Sequence, residues 1–266
     1  MLFKKKLASP PAPATFDPGA GLATRAAEVT VETGSGQRTL LHEITVTLTA
    51  PRTAVLGLNG SGKSTFLRLF NGLSPLTSGQ VLVHGVPVAD YLGQVRSHIG
   101  LLFADPGAQL VMSTGVEDVE LSIKHLKDKD ARRTAALAAL AECGVEHRAF
   151  DSVYSLSGGE KQLTALAAVL AVKPQVLLLD EPTTLLDLKN TLKLIDLLDS
   201  LPQQQLISTH DLELAASCQE AIVIHEGRLI AQGPADRVIH DYRRWCAQGF
   251  PTIEAPQETE SGQEKS

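Results

Sequence analysis

Cysteine is scarce in this chain: Cys143, Cys218 and Cys246 are the only three among 266 residues, stand far apart and share no metal-ligand spacing. That pattern excludes a disulfide framework or thiolate centre and fits a reducing compartment with incidental thiols. A basic excess is missing as well. Lys and Arg number 24 against 30 Asp and Glu, a formal net charge of −6, so the electrostatic footprint of a nucleic-acid binder is absent and no nucleic acid is expected as partner. Long hydrophobic runs are lacking too. Stretches such as residues 176–179 stop far short of the roughly 18 apolar residues of a membrane span. Lys4, Lys5 and Lys6 resemble a secretory n-region, but Leu7-Ala8-Ser9-Pro10-Pro11-Ala12-Pro13 is no apolar h-region. Residues 1–24 therefore read as a flexible arm, and 241–266 as an extension ending in a disordered tail rich in Gln, Glu and Ser. Internal repeats are absent as well.

What remains alternates strands and helices. Val29 and Val31 open a strand, and Ile44, Val46 and Leu48 alternate with Thr45, Thr47 and Thr49, the pattern of a half-exposed antiparallel strand. Further strands are expected over 80–83, 99–103, 176–179, 206–208 and 221–225. An alanine-rich helix spans 128–143, with Gly144 as its C-cap glycine, and others cover 188–201 and 211–217. Leu188, Leu192, Ile195 and Leu198 are expected on the face that covers a sheet. Near-continuous apolar strands separated by helices imply an α/β fold with a buried, mainly parallel sheet.

The chemistry begins at Gly57-Leu58-Asn59-Gly60-Ser61-Gly62-Lys63-Ser64-Thr65, which follows the apolar Thr53-Ala54-Val55-Leu56. It fits the phosphate-loop pattern G-x-x-x-x-G-K-[ST], with the strand in front and a helix expected over 63–71. Glycines let successive backbone N–H groups converge on one phosphate, and Lys63 adds a point charge. A plain glycine-rich turn does not require both flanking elements. At the end of the strand Val176-Leu177-Leu178-Leu179 stand two carboxylates, Asp180 and Glu181. A strand tip is where open α/β sheets bind ligands. Asp180 is placed to hold Mg²⁺ with the Ser64 hydroxyl, and Glu181 to orient water or act as general base. Such a pair alone is more often a solvated strand end; the phosphate loop tips the balance. A second anion-suited loop, Leu156-Ser157-Gly158-Gly159-Glu160, opens a helix, with Ser157 as cap and two glycines exposing amides. In isolation it is an ordinary N-cap. The order of the three motifs, followed by Ser208-Thr209-His210-Asp211, decides the reading.

Over about residues 25–235 the chain thus resembles the ATP-binding cassette (ABC) family, within an ATP-binding domain expected over 25–240. That resemblance implies a P-loop NTPase with the ABC ATPase fold: a core sheet flanked by helices, an antiparallel β subdomain, and a helical subdomain near 105–172 carrying the signature loop at 156–160. ATP and Mg²⁺ are implied, in a head-to-tail dimer whose sites each join one subunit's phosphate loop to the other's signature loop. The partner is a second copy or a related ATPase subunit. Asp187 matches the interface D-loop and His210 the switch histidine at the γ-phosphate; His84, His98 and His225 are left as structural. Gln109-Leu110 and Val116-Glu117-Asp118-Val119 are similar to the energy-coupling-factor (ECF) importer ATPases, which serve vitamins, cobalt or nickel. Gln109-Leu110-Val111-Met112 and Thr114 look most like the biotin importers. Such a subunit works at the cytoplasmic face of a membrane, with an integral coupling protein and a substrate-binding membrane protein. A cytosolic ABC ATPase of cluster assembly, translation or DNA repair is the alternative. Two positions depart from the family. Ala104 replaces the Q-loop glutamine, so water is expected at that ligand position, with weaker metal binding or slower turnover. No Phe, Tyr or Trp lies between Phe16 and Phe66, so aliphatic contact from Val31 or a neighbour is expected at the base, with loose preference for ATP over GTP.

Overall fold

The computed structural model describes residues 13–34 and 36–252. From the N-terminal side run β1 (Leu22–Thr33), β2 (Gly36–Leu48), β3 (Arg52–Leu56), α1 (Lys63–Leu69), β4 (Ser78–Val83) and β5 (Val86–Pro87). Then come α2 (Leu92–His98), β6 (Ile99–Leu102), α3 (Gly115–Ser122), α4 (Lys129–Glu142), α5 (Gly158–Ala171) and β7 (Val176–Asp180). The last elements are α6 (Leu188–Ser200), β8 (Gln204–Ser208), α7 (Leu212–Ala216), β9 (Glu220–His225), β10 (Arg228–Pro234) and α8 (Ala235–Gln248).

Two sheets form. One has four strands in the order β2-β1-β4-β5, antiparallel throughout; the other has six in the order β10-β9-β3-β8-β7-β6. In the second, β9, β3, β8, β7 and β6 are parallel and only the edge strand β10 is antiparallel. Every residue of β3 and β7 is buried, because their alternate side chains enter two different cores. Ala54, Leu56, Leu177, Leu179 and Ile207 face the cluster shared with α3 to α8. Val55, Val176, Leu178 and Leu206 face the cluster shared with α1 and the antiparallel sheet, including Phe66 and Phe70. A strand covered on both faces needs no polar positions, hence the uninterrupted apolar runs. The parallel register also brings the C-terminal ends of β3, β7 and β8 to one edge, where the site lies.

The expected elements are present, with three corrections. On α6 the buried stripe is Thr191, Leu194, Ile195 and Leu198, while Leu188 and Leu192 are 65% and 43% exposed. Hydrophobic spacing identifies a helix face, but where that face meets the sheet is set by packing, and here the contact runs through Thr191 and Leu194 rather than Leu188 and Leu192. The N-terminal arm expected over 1–24 is anchored from residue 14 on: the Ala14 amide donates to Gln94 Oε1, the Phe16 ring stacks on His98, and β1 starts at Leu22. The C-terminal extension expected from 241 is helical as far as Gln248, since Ala235, Val238, Ile239 and Tyr242 form a buried stripe on α8. Both terminal tails, 1–12 and 253–266, lie outside the described residues. Histidines 84 and 98 share a ring-nitrogen hydrogen bond of 3.0 Å, and His225 stacks on Phe250; these contacts are structural.

Candidate functional site

The loop after β3 turns on glycines that no other residue replaces. Gly57 has φ +153° and a Cβ there would stand 2.2 Å from the Ile224 carbonyl oxygen; Gly62 has φ +108° and a Cβ there would meet Leu41 at 2.7 Å. Around the loop lie two cavities that share Glu181 and Asn59 as wall. The larger, about 600 Å³, is lined by Asn59, Gly60, Gly62, Lys63, Ser64 and Thr65 on one side and by Arg38, Thr39, Leu40, His42, Glu226 and Gly227 on the other. The smaller, about 460 Å³, is lined by Gly57, Leu58, Asn59, Ala104, Glu181, Thr184, His210 and Tyr242. Of the nine loop residues only Ser61 lines neither; it is buried, and its carbonyl accepts from the Gly227 amide at 2.9 Å.

Lys63 begins α1. Its Nζ donates to the carbonyls of Gly57 (2.8 Å) and Leu58 (3.3 Å) and lies 3.8 Å from Glu181 Oε1. Burial lowers its pKa, opposed first by Glu181 and then by Asp180. This is a desolvated cation held among carbonyls, whose field is stronger than it would be in water.

Asp180 ends β7 with 1% exposure. Its Oδ1 accepts from Ser64 Oγ at 2.9 Å and from Ser208 Oγ at 2.6 Å. Its Oδ2 is buried without a hydrogen-bond donor, the Arg68 guanidinium standing 3.6 Å away, too far to bond. A carboxylate oxygen left over in this way, beside a serine hydroxyl at the loop, is the hard oxygen donor set that suits Mg²⁺. Ser64 and Asp180 are thus the residues that would hold it.

Glu181 has φ +51°, the left-handed region, and its amide donates to the Ser208 carbonyl at 2.9 Å. Such a conformation is costly for a residue with a side chain and recurs at functional sites. Its Oε2 accepts from the His210 amide at 3.3 Å and pairs with His210 Nδ1 at 2.7 Å. His210 is locked from the following side, where Asp211 caps α7 by accepting from the Glu213 and Leu214 amides. The tips of β7 and β8 and the start of α1 thereby bring a carboxylate, an imidazole and a lysine together.

The second anion-suited loop, 156–160, is elsewhere. Ser157 is the N-cap of α5 in a capping box: Glu160 Oε2 accepts from the Ser157 amide and hydroxyl, both at 2.8 Å, and the Ser157 oxygen accepts from the Glu160 amide at 3.3 Å. Those bonds, and more weakly Arg148, hold the Glu160 carboxyl below its usual value. A Cβ on Gly158 or Gly159 would touch Leu185 or Leu186, so the loop rests on the segment where Asp187 caps α6, accepting from the Asn190 amide at 2.8 Å. Neither Leu156 nor Ser157, Gly158, Gly159, Glu160 or Asp187 lines either cavity.

Ala104 does line the smaller one. Its loop is stitched by Gln109, whose Oε1 accepts from the Phe103 amide (3.0 Å) and whose Nε2 donates to the Leu101 carbonyl (3.1 Å). Downstream, both oxygens of buried Asp118 accept from the Val111 and Met112 amides at 3.0 Å, while Glu117 and Thr114 form a second capping box. The spaced Gln109 and 116–119 residues are thus loop fasteners. At the larger cavity the aliphatic contact is Leu40, with the His42 ring beside it, and Val31 is not in the lining. Burial, and then Arg228, lowers the His42 pKa, so its ring is neutral near pH 7. Sequence reasoning missed Ser208, His42 and Tyr242. Only Ser208 had a signal, its place in the Ser208-Thr209-His210-Asp211 run.

The family model for ABC transporters matches residues 33–184 of this chain. The biotin transport ATP-binding protein BioM of Rhizobium etli is 41% identical over 203 residues, 76% of this chain and 90% of BioM. The energy-coupling factor transporter ATP-binding protein EcfA1 of Levilactobacillus brevis is 37% identical over 191 residues, 70% of this chain and 68% of EcfA1. Among solved structures, the ATP-binding cassette MJ0796, a dimer in a post-hydrolysis state bound to ADP and phosphate, superimposes with a TM-score of 0.76 and 27% identity, covering 80% of this chain and 98% of that one.

Proposed function

This chain belongs to the ABC transporter family and is an ATP-hydrolysing, energy-coupling subunit of the ECF importer type; we propose that the cargo it serves is biotin. The observation that carries the catalytic reading is the cluster of Lys63, Ser64, Asp180, Glu181 and His210 around the phosphate loop, with the signature residues held apart on α5. One subunit offers a nucleotide half-site and, elsewhere, an anion-suited loop. Two subunits arranged head to tail complete both sites, each signature loop closing on the other subunit's phosphate loop. The similarity to dimeric MJ0796 supports a dimer.

In the proposed reaction the loop amides and Lys63 hold the β- and γ-phosphate oxygens, Glu181 orients the attacking water and receives its proton, and His210 contacts the γ-phosphate. Mg²⁺, when bound at Ser64 and Asp180, supplies charge neutralisation on the phosphate oxygens. Phosphoryl transfer depends on such positioning and electrostatics rather than on covalent chemistry. Among the described residues no helix is long and apolar enough to cross a membrane. The subunit works at the cytoplasmic face, bound to an integral coupling protein and a substrate-binding membrane protein, a reading that the likeness to the energy-coupling factor ATPase supports. The likeness to BioM supports biotin as cargo.

Glu181→Gln keeps the size and hydrogen-bonding reach of the side chain but not its charge or basicity. ATP binding is expected to persist while turnover falls by a factor of about 10²–10⁴. In cells or vesicles carrying the membrane partners, uptake of labelled biotin should require ATP and vanish in this variant. Normal hydrolysis in Glu181→Gln would refute the base assignment; ATP-dependent uptake of cobalt or another vitamin, with none of biotin, would refute the cargo.

A further inference from the structure

The smaller cavity has an uneven wall. The side chains of Ala104 and Leu58 contribute no polar atom, so side-chain hydrogen bonding outside the phosphate loop falls to Glu181, Thr184, His210 and Tyr242. The first three follow β7 or β8. Tyr242 comes from α8, outside residues 33–184 that the family model matches.

Tyr242 is 7% exposed, and its ring is held from behind. Phe250 meets it edge-on at 6.1 Å and itself stacks on His225 at 4.0 Å. These contacts need the ring alone; a phenylalanine would make them equally well. Those ring contacts do not need the hydroxyl, which hydrogen-bonds with the Cys246 thiol, one helical turn further on, and feels the negative charge of Glu181.

We propose that Tyr242 is a positioning residue for hydrolysis: its hydroxyl donates into the cavity that Glu181 and His210 line, fixing the Glu181 carboxylate and its water on the side where the Ala104 side chain offers no oxygen or nitrogen. Burial, Cys246 and Glu181 together push the Tyr242 pKa up to about 12, so the hydroxyl keeps its proton at neutral pH and remains a donor. The inference rests on the reading of Glu181 as the residue that orients water. It also ties the C-terminal helix to turnover, because α8 packs on β9, whose following turn, Glu226 and Gly227, lines the larger cavity.

The test is Tyr242→Phe in the full-length chain, which leaves the ring contacts in place. Turnover is expected to fall about tenfold, ~1.4 kcal/mol of barrier, with KM for ATP and thermal stability unchanged. Ala104→Gln, which puts an amide on the bare wall, should restore most of the lost rate. In the Glu181→Gln background, Tyr242→Phe should cost nothing further. Unchanged turnover in Tyr242→Phe would overturn the proposal, as would failure of the Ala104→Gln rescue or a full additional loss in the Glu181→Gln background. Normal turnover in Glu181→Gln alone is a different failure: it removes the reading of Glu181 and this inference with it.

Discussion

Replacing Ser208 by alanine probes how firmly the Asp180 carboxylate, the proposed metal ligand, is held. Ser208 is fully buried, and its hydroxyl donates to Asp180 Oδ1 at 2.6 Å, the same oxygen that Ser64 reaches at 2.9 Å. A hydrogen bond to a charged group contributes about 1.5–3 kcal/mol. Because Ser64 still bonds Oδ1 in the variant, the carboxylate is weakened and not orphaned, so the lower end applies, about 1.5–2 kcal/mol. For a domain of this size each kcal/mol moves the melting temperature by roughly 2–4 °C, which gives a fall of about 3–8 °C. Function should change as well. Asp180 Oδ2 has no hydrogen bond, so the Ser208 hydroxyl is one of two bonds that aim the carboxylate. Loss of such an outer contact commonly weakens metal affinity about 10–100-fold. Differential scanning fluorimetry, together with a magnesium titration of ATPase at saturating ATP, reads both effects. Ser64→Ala is the comparison. It removes one bond to the same oxygen and also a proposed metal ligand, so its turnover should not recover at high magnesium, whereas Ser208→Ala should. An unchanged melting temperature with an unchanged magnesium midpoint in Ser208→Ala would refute this account of the Asp180 cradle.

Ser157→Ala removes the cap of α5 and should cost about 1 kcal/mol, read from urea midpoints at pH 7. The Glu160 carboxyl is held below its ordinary 4.5 by the Ser157 amide and hydroxyl, so its contribution is full above that value and is lost as pH falls through the depressed one. The gap between wild type and Ser157→Ala should therefore narrow in acid, and a gap that widens would reverse the sign of this argument; Glu160 is partly solvated, which keeps the effect small. Gln109→Leu leaves the Phe103 amide and Leu101 carbonyl without their partner, at a cost of about 1–3 kcal/mol. Hydrogen exchange at Phe103 and Ala104 should accelerate, and unaltered exchange there would remove Gln109 from its role as loop fastener.

The 57–65 loop, the carboxylate pair, the 156–160 loop and the His210 tip could all be picked out as candidates, because each is a contiguous run whose proposed chemistry depends on residue type and local backbone. Gly57 and Gly62 illustrate why: their positive φ values and the absence of room for a Cβ are requirements of the turn itself. Capping residues were legible for the same reason, Ser157 with Glu160 three positions on, as was the α4 terminus at Gly144. The face of α6 was misjudged at Leu188 and Leu192 because periodicity specifies spacing and not the edge of the surface a helix meets.

By itself, then, the chain order marked which residues are candidates for the chemistry and that two separate anion-suited loops exist, since short motifs encode their own backbone geometry. Tertiary structure alone decided which of them share a space. Ser64 reaches Asp180 across 116 positions, Ser208 meets it from the neighbouring parallel strand, and Tyr242 enters the cavity from a helix near the C-terminal end. Parallel strands joined by helices bring such distant strand tips to one edge, and no pattern along the chain announces which side chains will meet there.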